Sequence, residues 1–160
     1  MRTGARLGEL EDLYRTRYRH FLRVAMAITG DRDRAQDAVQ DAFASAVRRR
    51  ADYRGEGPLE AWVWRSVVNA ARQQAVDHRR MPEASDQAVS ANGTTADENA
   101  VRKWIAALPE RQRLAVFLRF YADLDYRGIA WALEIELGTV SATLAAAYVS
   151  LRKSLREVRQ

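Results

Sequence analysis

A chain of 160 residues can fold as one ordinary domain or two small ones, and 48% hydrophobic with 29% charged residues excludes disorder throughout. The absence of cysteine excludes disulfide frameworks, Cys-based zinc sites and thiol nucleophiles. The net charge of +5 is uneven, because Met81 to Ala100 holds Glu83, Asp86, Asp97 and Glu98 with no base; the positive charge elsewhere is nearly all arginine, with Lys103 and Lys153 the only lysines, which suits an anionic partner.

Leu7, Leu10, Tyr14, Tyr18, Phe21, Ala25 and Ile28 step by three or four, which predicts one long amphipathic helix stopped at Thr29-Gly30. A second helix follows, capped by Asp31 or Asp33, with Ala35, Ala38, Val39, Ala42, Phe43, Ala46 and Val47 as its apolar stripe. That packing leaves Gln36, Asp37, Gln40 and Asp41 on the other side. Arg48 to Pro58 breaks the period with two glycines and a proline and reads as a basic loop. Leu59 to His78 resumes helical spacing through Trp62, Val63, Val67, Ala70 and Ala71, with Arg65, Asn69 and Arg72 on or near the opposite side. On this phase Trp62 belongs to the core and Trp64 to the exposed face. Ser85 to Thr95 has almost no large apolar residue and reads as a flexible tether. Asp97 is then expected to cap a short helix with Val101, Trp104, Ile105 and Leu108 on its buried edge, and Pro109 to open the next, whose stripe is Leu114, Phe117, Leu118 and Tyr121.

The last stretch carries the sharpest signal. Ile129, Ala130 and Leu133 share one face of a short helix, a brief turn follows, and Val140, Leu144, Ala147, Leu151 and Leu155 recur at helical spacing. This is helix-turn-helix spacing, in which the second helix enters a major groove with the residues of its first turns. Those residues are Ser141, Ala142, Thr143, Ala145 and Ala146, without a base among them. The fold class is therefore all-α: two small helical bundles, residues 1–81 and 98–160, joined by a mildly acidic linker at 82–97.

The segments ITGDRDRAQDAVQDAFASAV, the loop, AWVWRSVVNAAR, and then ALPERQRLAVFLRFYADLDYRGIAWAL with LGTV and LRKSL resemble, in that order, the extracytoplasmic-function (ECF) group of bacterial RNA polymerase sigma factors. The resemblance covers nearly the whole chain. It implies that the first bundle grips core polymerase and opens the promoter's −10 element, and that the second binds the −35 element. Asp37, Gln40 and Asp41, at i, i+3 and i+4, form one polar ridge with Gln36 beside it; the resemblance makes this ridge the contact to the coiled-coil of the polymerase clamp. Tyr53, Arg54, Trp64, Arg65, Asn69 and Arg72 combine rings, guanidiniums and an amide, the chemistry that stacks and reads unpaired bases, and the resemblance assigns Asn69 to a flipped −10 base. For the −35 element it points to Arg127, Thr139, Ser141, Ala142, Thr143, Ala145 and Arg152.

Three departures matter. The family usually has glutamate where this chain has Gly128, glycine where it has Glu134, and bases among the positions filled by Ser141, Thr143, Ala145, Ala146 and Tyr148. A glutamate in a left-handed turn costs roughly 1 to 2 kcal/mol unless the turn is remodelled. Hydroxyls and methyls in place of arginines predict a −35 element read weakly or with another preference, with binding leaning on polymerase. The face formed by Ser141, Ala142, Ala145, Ala146 and Val149 also suits close packing against a partner helix, so an anti-sigma protein is a second candidate occupant. The rival readings are a stand-alone helix-turn-helix regulator and an adaptor that does not bind DNA. No metal-ligand cluster or Gly-rich phosphate loop is present, and His20 and His78 stand alone as surface residues, so neither an enzyme nor a cofactor is expected. No apolar run nears the ~20 residues of a membrane helix and the first residues lack a signal-peptide core, which makes a cytoplasmic protein without a membrane partner the expectation.

Overall fold

The computed structural model describes residues 4–80 and 95–160, so most of the expected linker lies outside the described residues. Among them are seven α-helices and no strand: α1 Leu7–Thr29, α2 Arg32–Arg48, α3 Leu59–Arg80, α4 Ala96–Ala106, α5 Glu110–Phe120, α6 Tyr126–Leu133 and α7 Leu137–Val158, with a single 3-10 turn at Arg50–Asp52.

The corner between α1 and α2 forms for local reasons. Gly30 takes φ 72, a left-handed conformation that glycine adopts freely, and its N–H donates to the Met26 carbonyl. Asp31 then caps α2 by accepting from the Arg34 N–H at 2.9 Å. The three helices close around a cluster of rings: Phe21 lies 4.3 Å from Trp64, tilted at 40°, and meets Phe43 edge-on at 5.2 Å, and Tyr14 meets Phe43 edge-on at 5.0 Å.

Helix α3 is packed on two sides, against α1 and α2 on one and against α6 on the other. This double burial corrects the phase expected for it. Its core stripe is Ala61, Val63, Trp64, Val67, Val68 and Ala71; Trp64 is fully buried, while Trp62 is only half-buried. Burial of the Trp64 indole is tolerated because its Nε1–H points to Glu60 Oε1 at 3.3 Å, an oxygen that also accepts from Arg17 Nε at 2.6 Å.

In the second unit α4 is capped by Thr95, not Asp97: the Thr95 hydroxyl accepts from the Glu98 N–H while Glu98 accepts from the Thr95 N–H, a reciprocal box. Asp125 caps α6 through the Gly128 N–H at 2.7 Å. Helices α6 and α7 turn through 100°, as a helix-turn-helix requires, over a core of Leu118, Ile129, Val140, Leu144 and Ala147. The turn between them is not remodelled. Glu134 itself takes φ 56, ψ 45 as the residue that caps the carboxyl end of α6. No single described helix is long and apolar enough to cross a membrane.

Candidate nucleic-acid interface

The loop before α3 is held open by its own hydrogen bonds. The Tyr53 hydroxyl donates to the Gly57 carbonyl, and the amino-terminal strap pins the loop's start through Gly4 N–H to the Tyr53 carbonyl at 2.8 Å and Ala5 N–H to the Arg50 carbonyl at 2.7 Å. This sets the Tyr53 ring 5.7 Å from that of Trp62, at 55°. From Trp62, the residues Arg65, Asn69 and Arg72 recur at helical spacing along the outer face of α3. The structure thus brings Tyr53, Arg54, Trp62, Arg65 and Asn69 to one surface, with Arg72 a turn further on. Trp64 does not join them: its ring is core, and the aromatic member of the surface is Trp62. The expectation inverted the two because Arg65 and Ser66 are the only polar residues between Ala61 and Val68, which leaves the helical phase ambiguous.

The second unit lies across this surface. Arg65 Nε donates to the Trp131 carbonyl at 3.0 Å, its guanidinium sits 5.5 Å from the centroid of the Trp131 ring, and its Nη1 pairs with Glu134 at 3.4 Å. Arg72 pairs with Glu110 at 2.5 Å, and Arg17 donates to the Ala122 carbonyl. Between α3 and α5 the two units leave a cleft of about 510 Å³ bordered by Asn69, Arg72 and Arg113. Neither Trp131 nor Glu134 was singled out by sequence as a contact to α3. The available signal was a tryptophan two residues past Ile129, off the stripe of a short helix, where a large ring needs a partner outside its own core. His20, expected on the surface, is half-buried, and burial, with Arg17 and Arg23 adding to it, holds its pKa below the ordinary imidazole value.

Two other surfaces are open. On α2, Asp37, Gln40 and Asp41 are exposed and Gln36 half-buried, and none of the four makes an ion pair with another described residue. On α7, Ser141, Ala142, Ala145 and Ala146 are exposed and Val149 is 63% exposed, with Arg127 and Arg152 exposed on α6 and α7 and Thr139 half-buried. Thr143 is a correction: it is 9% exposed, because at i+3 from Val140 and i+4 before Ala147 it falls on the buried stripe. Most of its side chain is therefore packed against the core rather than presented to a groove.

The chain's likeness to known proteins follows the same division. Residues 13–81 match the sigma-70 region 2 family and residues 98–151 the sigma-70 region 4 family. The RNA polymerase sigma-H factor of Pseudomonas aeruginosa is 29% identical, with 91% of this chain and 86% of that protein covered. The ECF RNA polymerase sigma-E factor of Escherichia coli K12 is 31% identical over 68% of this chain and 66% of its own length. In fold, the chain is similar to CnrH, solved in complex with the cytosolic domain of CnrY (TM-score 0.73, 17% identity, 96% and 91% covered). It is similar also to the sigma factor RpoE of Bartonella quintana, solved with the anti-sigma factor NepR (TM-score 0.67, 20% identity, 91% and 98% covered). With both sigma regions present, in order, and relatives aligned across them, the chain belongs to the ECF group of RNA polymerase sigma factors and serves transcription initiation.

Proposed function

We propose that the first unit, residues 1–81, docks on core polymerase through the α2 ridge of Gln36, Asp37, Gln40 and Asp41 and captures unpaired −10 strand with Tyr53, Arg54, Trp62, Arg65, Asn69 and Arg72. The second unit, reached through the linker at 82–97, lays α7 against the −35 element with Thr139, Ser141, Ala142 and Ala145, and Arg127 and Arg152 reach for phosphate. The observation that carries this reading is the co-location of two rings, two guanidiniums and an exposed amide around one loop and one helix face, the combination that binds single strands. The ridge supports the polymerase contact because a run of exposed acids and amides without internal partners retains its full capacity for an external basic surface. The chain contributes no catalytic step of its own; RNA synthesis belongs to the polymerase, and the work is done in the bacterial cytoplasm.

The test is assembly with core polymerase followed by run-off transcription. Charge reversal with Asp37→Arg and Asp41→Arg together should lower core affinity by ~10-fold or more, since like charges across an interface cost several kcal/mol, while helix content stays unchanged. Initiation untouched by that pair would sink the polymerase-docking assignment.

A second use of α7 is supported by its small-residue face, where Val149 stands exposed beside Ala142, Ala145 and Ala146. A helix of an anti-sigma protein could pack there closely, and its footprint would compete with −35 DNA.

A further inference from the structure

We infer that Trp131 is a built-in occupant of the strand-capturing notch, so that the free chain keeps its own −10 surface closed. The inference rests on the strand-capture reading above and adds to it a competitor supplied by the same chain.

The Trp131 ring packs directly against the loop at Gly57. A Cβ at residue 57 would stand 2.6 Å from Trp131 Cε2 and 2.8 Å from Nε1, so no other residue fits there while the ring is in place. The φ of Gly57 is not left-handed, and what the glycine supplies is room. Tyr53, Arg54, Pro58, Trp62 and Arg65 border the remaining space, about 140 Å³. A planar bicyclic ring on a backbone shelf, with a guanidinium near its face, is the arrangement a purine would take in the same notch.

The polar contacts repeat the mimicry. Arg65 has donors suited to phosphate and base oxygens, and here they go to the Trp131 carbonyl and the Glu134 carboxylate. Glu134 holds the left-handed turn position, φ 56, which glycine occupies without strain. Glycine there would leave Arg65 without its carboxylate. The strained Glu134 and the crowded Gly57 are separate oddities, on different units, and the same interface accounts for both. Arg17 on the Ala122 carbonyl and Arg72 on Glu110 fasten the same interface at its other end. The α2 ridge and the outer face of α7 lie outside it, so polymerase can engage the closed chain, and separation of the two units then exposes the notch.

The experiment measures anisotropy of a fluorescein-labelled mixed-sequence single-stranded DNA titrated with the full chain, without polymerase. Four forms are compared: wild type, Trp131→Ala, Glu134→Gly, and Trp131→Ala combined with Trp62→Ala. Trp131→Ala should tighten binding by ~10-fold or more, because apparent affinity is reduced by the fraction of molecules in which the site is open. Glu134→Gly keeps the ring and the α6 core and should tighten binding several-fold, which guards against a Trp131 variant that merely misfolds. Small-angle scattering should report a larger radius for both. The double variant should lose the gain. If the double variant binds more weakly than wild type, yet neither single variant binds more tightly than wild type, the occluding role is refuted and strand capture stands. If Trp62→Ala has no effect in the Trp131→Ala background, strand capture at this notch is itself refuted.

Discussion

The two surfaces proposed to meet promoter DNA are opposites. The α3 face is rich in rings and arginines and is covered by the chain's own second unit, whereas the α7 face is uncharged, built of alanine and serine, and open. The difference follows from side-chain chemistry. Arginine and tryptophan left exposed find internal acceptors and ring partners, so a surface suited to nucleic acid is equally suited to carbonyls, carboxylates and an indole. Methyl and hydroxyl groups have little to offer another part of the same chain, and α7 stays free. On the proposed reading, the ring-and-arginine site is the one that is guarded, and the uncharged one leans on polymerase for affinity.

The comparison can be broken most sharply within α3 itself. Trp64→Ala should destabilise the first unit by ~3 to 5 kcal/mol, the cost of emptying a buried ring site, read as a lowered denaturation midpoint. Trp62→Ala, two residues away, should leave that midpoint nearly in place and instead weaken capture of single strand by the holoenzyme by ~1 to 3 kcal/mol, one lost stack. Equal effects of the two substitutions on stability would erase the distinction between core and surface tryptophan. On α7, Ala145→Arg should strengthen promoter binding by the holoenzyme and steepen its salt dependence by about one unit of slope, as one added phosphate contact does; an unchanged slope would show that this face does not meet DNA. The smallest effect belongs to Arg72→Ala. The Arg72–Glu110 pair is about half exposed on both sides (50% and 46%), and its removal should cost less than ~1 kcal/mol of stability in a thermal melt.

Much of this was legible in the residues alone. Long runs with one unbroken period, such as Leu7 to Ile28 and Val140 to Leu155, specify their helices because only one face can be buried. Gly30 and Asp31 mark a corner because each satisfies backbone groups next to it in the chain. The polar ridge of α2 could be read for the same reason: Asp37, Gln40 and Asp41 are what remains once the apolar stripe is assigned. Thr143 was misplaced because a hydroxyl was read as polar before its position on the stripe was weighed. Trp62 and Trp64 could not be ordered from sequence, since a helix buried on both sides presents no single apolar face to count from.

Helix positions, the two-unit plan and the resemblance that names the family were therefore determined by sequence, because each depends on neighbours within a turn or on the order of motifs along the chain. Which tryptophan is core, why Glu134 sits where glycine would be easier, and what fills the notch beside Gly57 were decided only by tertiary structure. The contact between Arg65 and Trp131 spans 66 residues, and no local period encodes a partner at that distance.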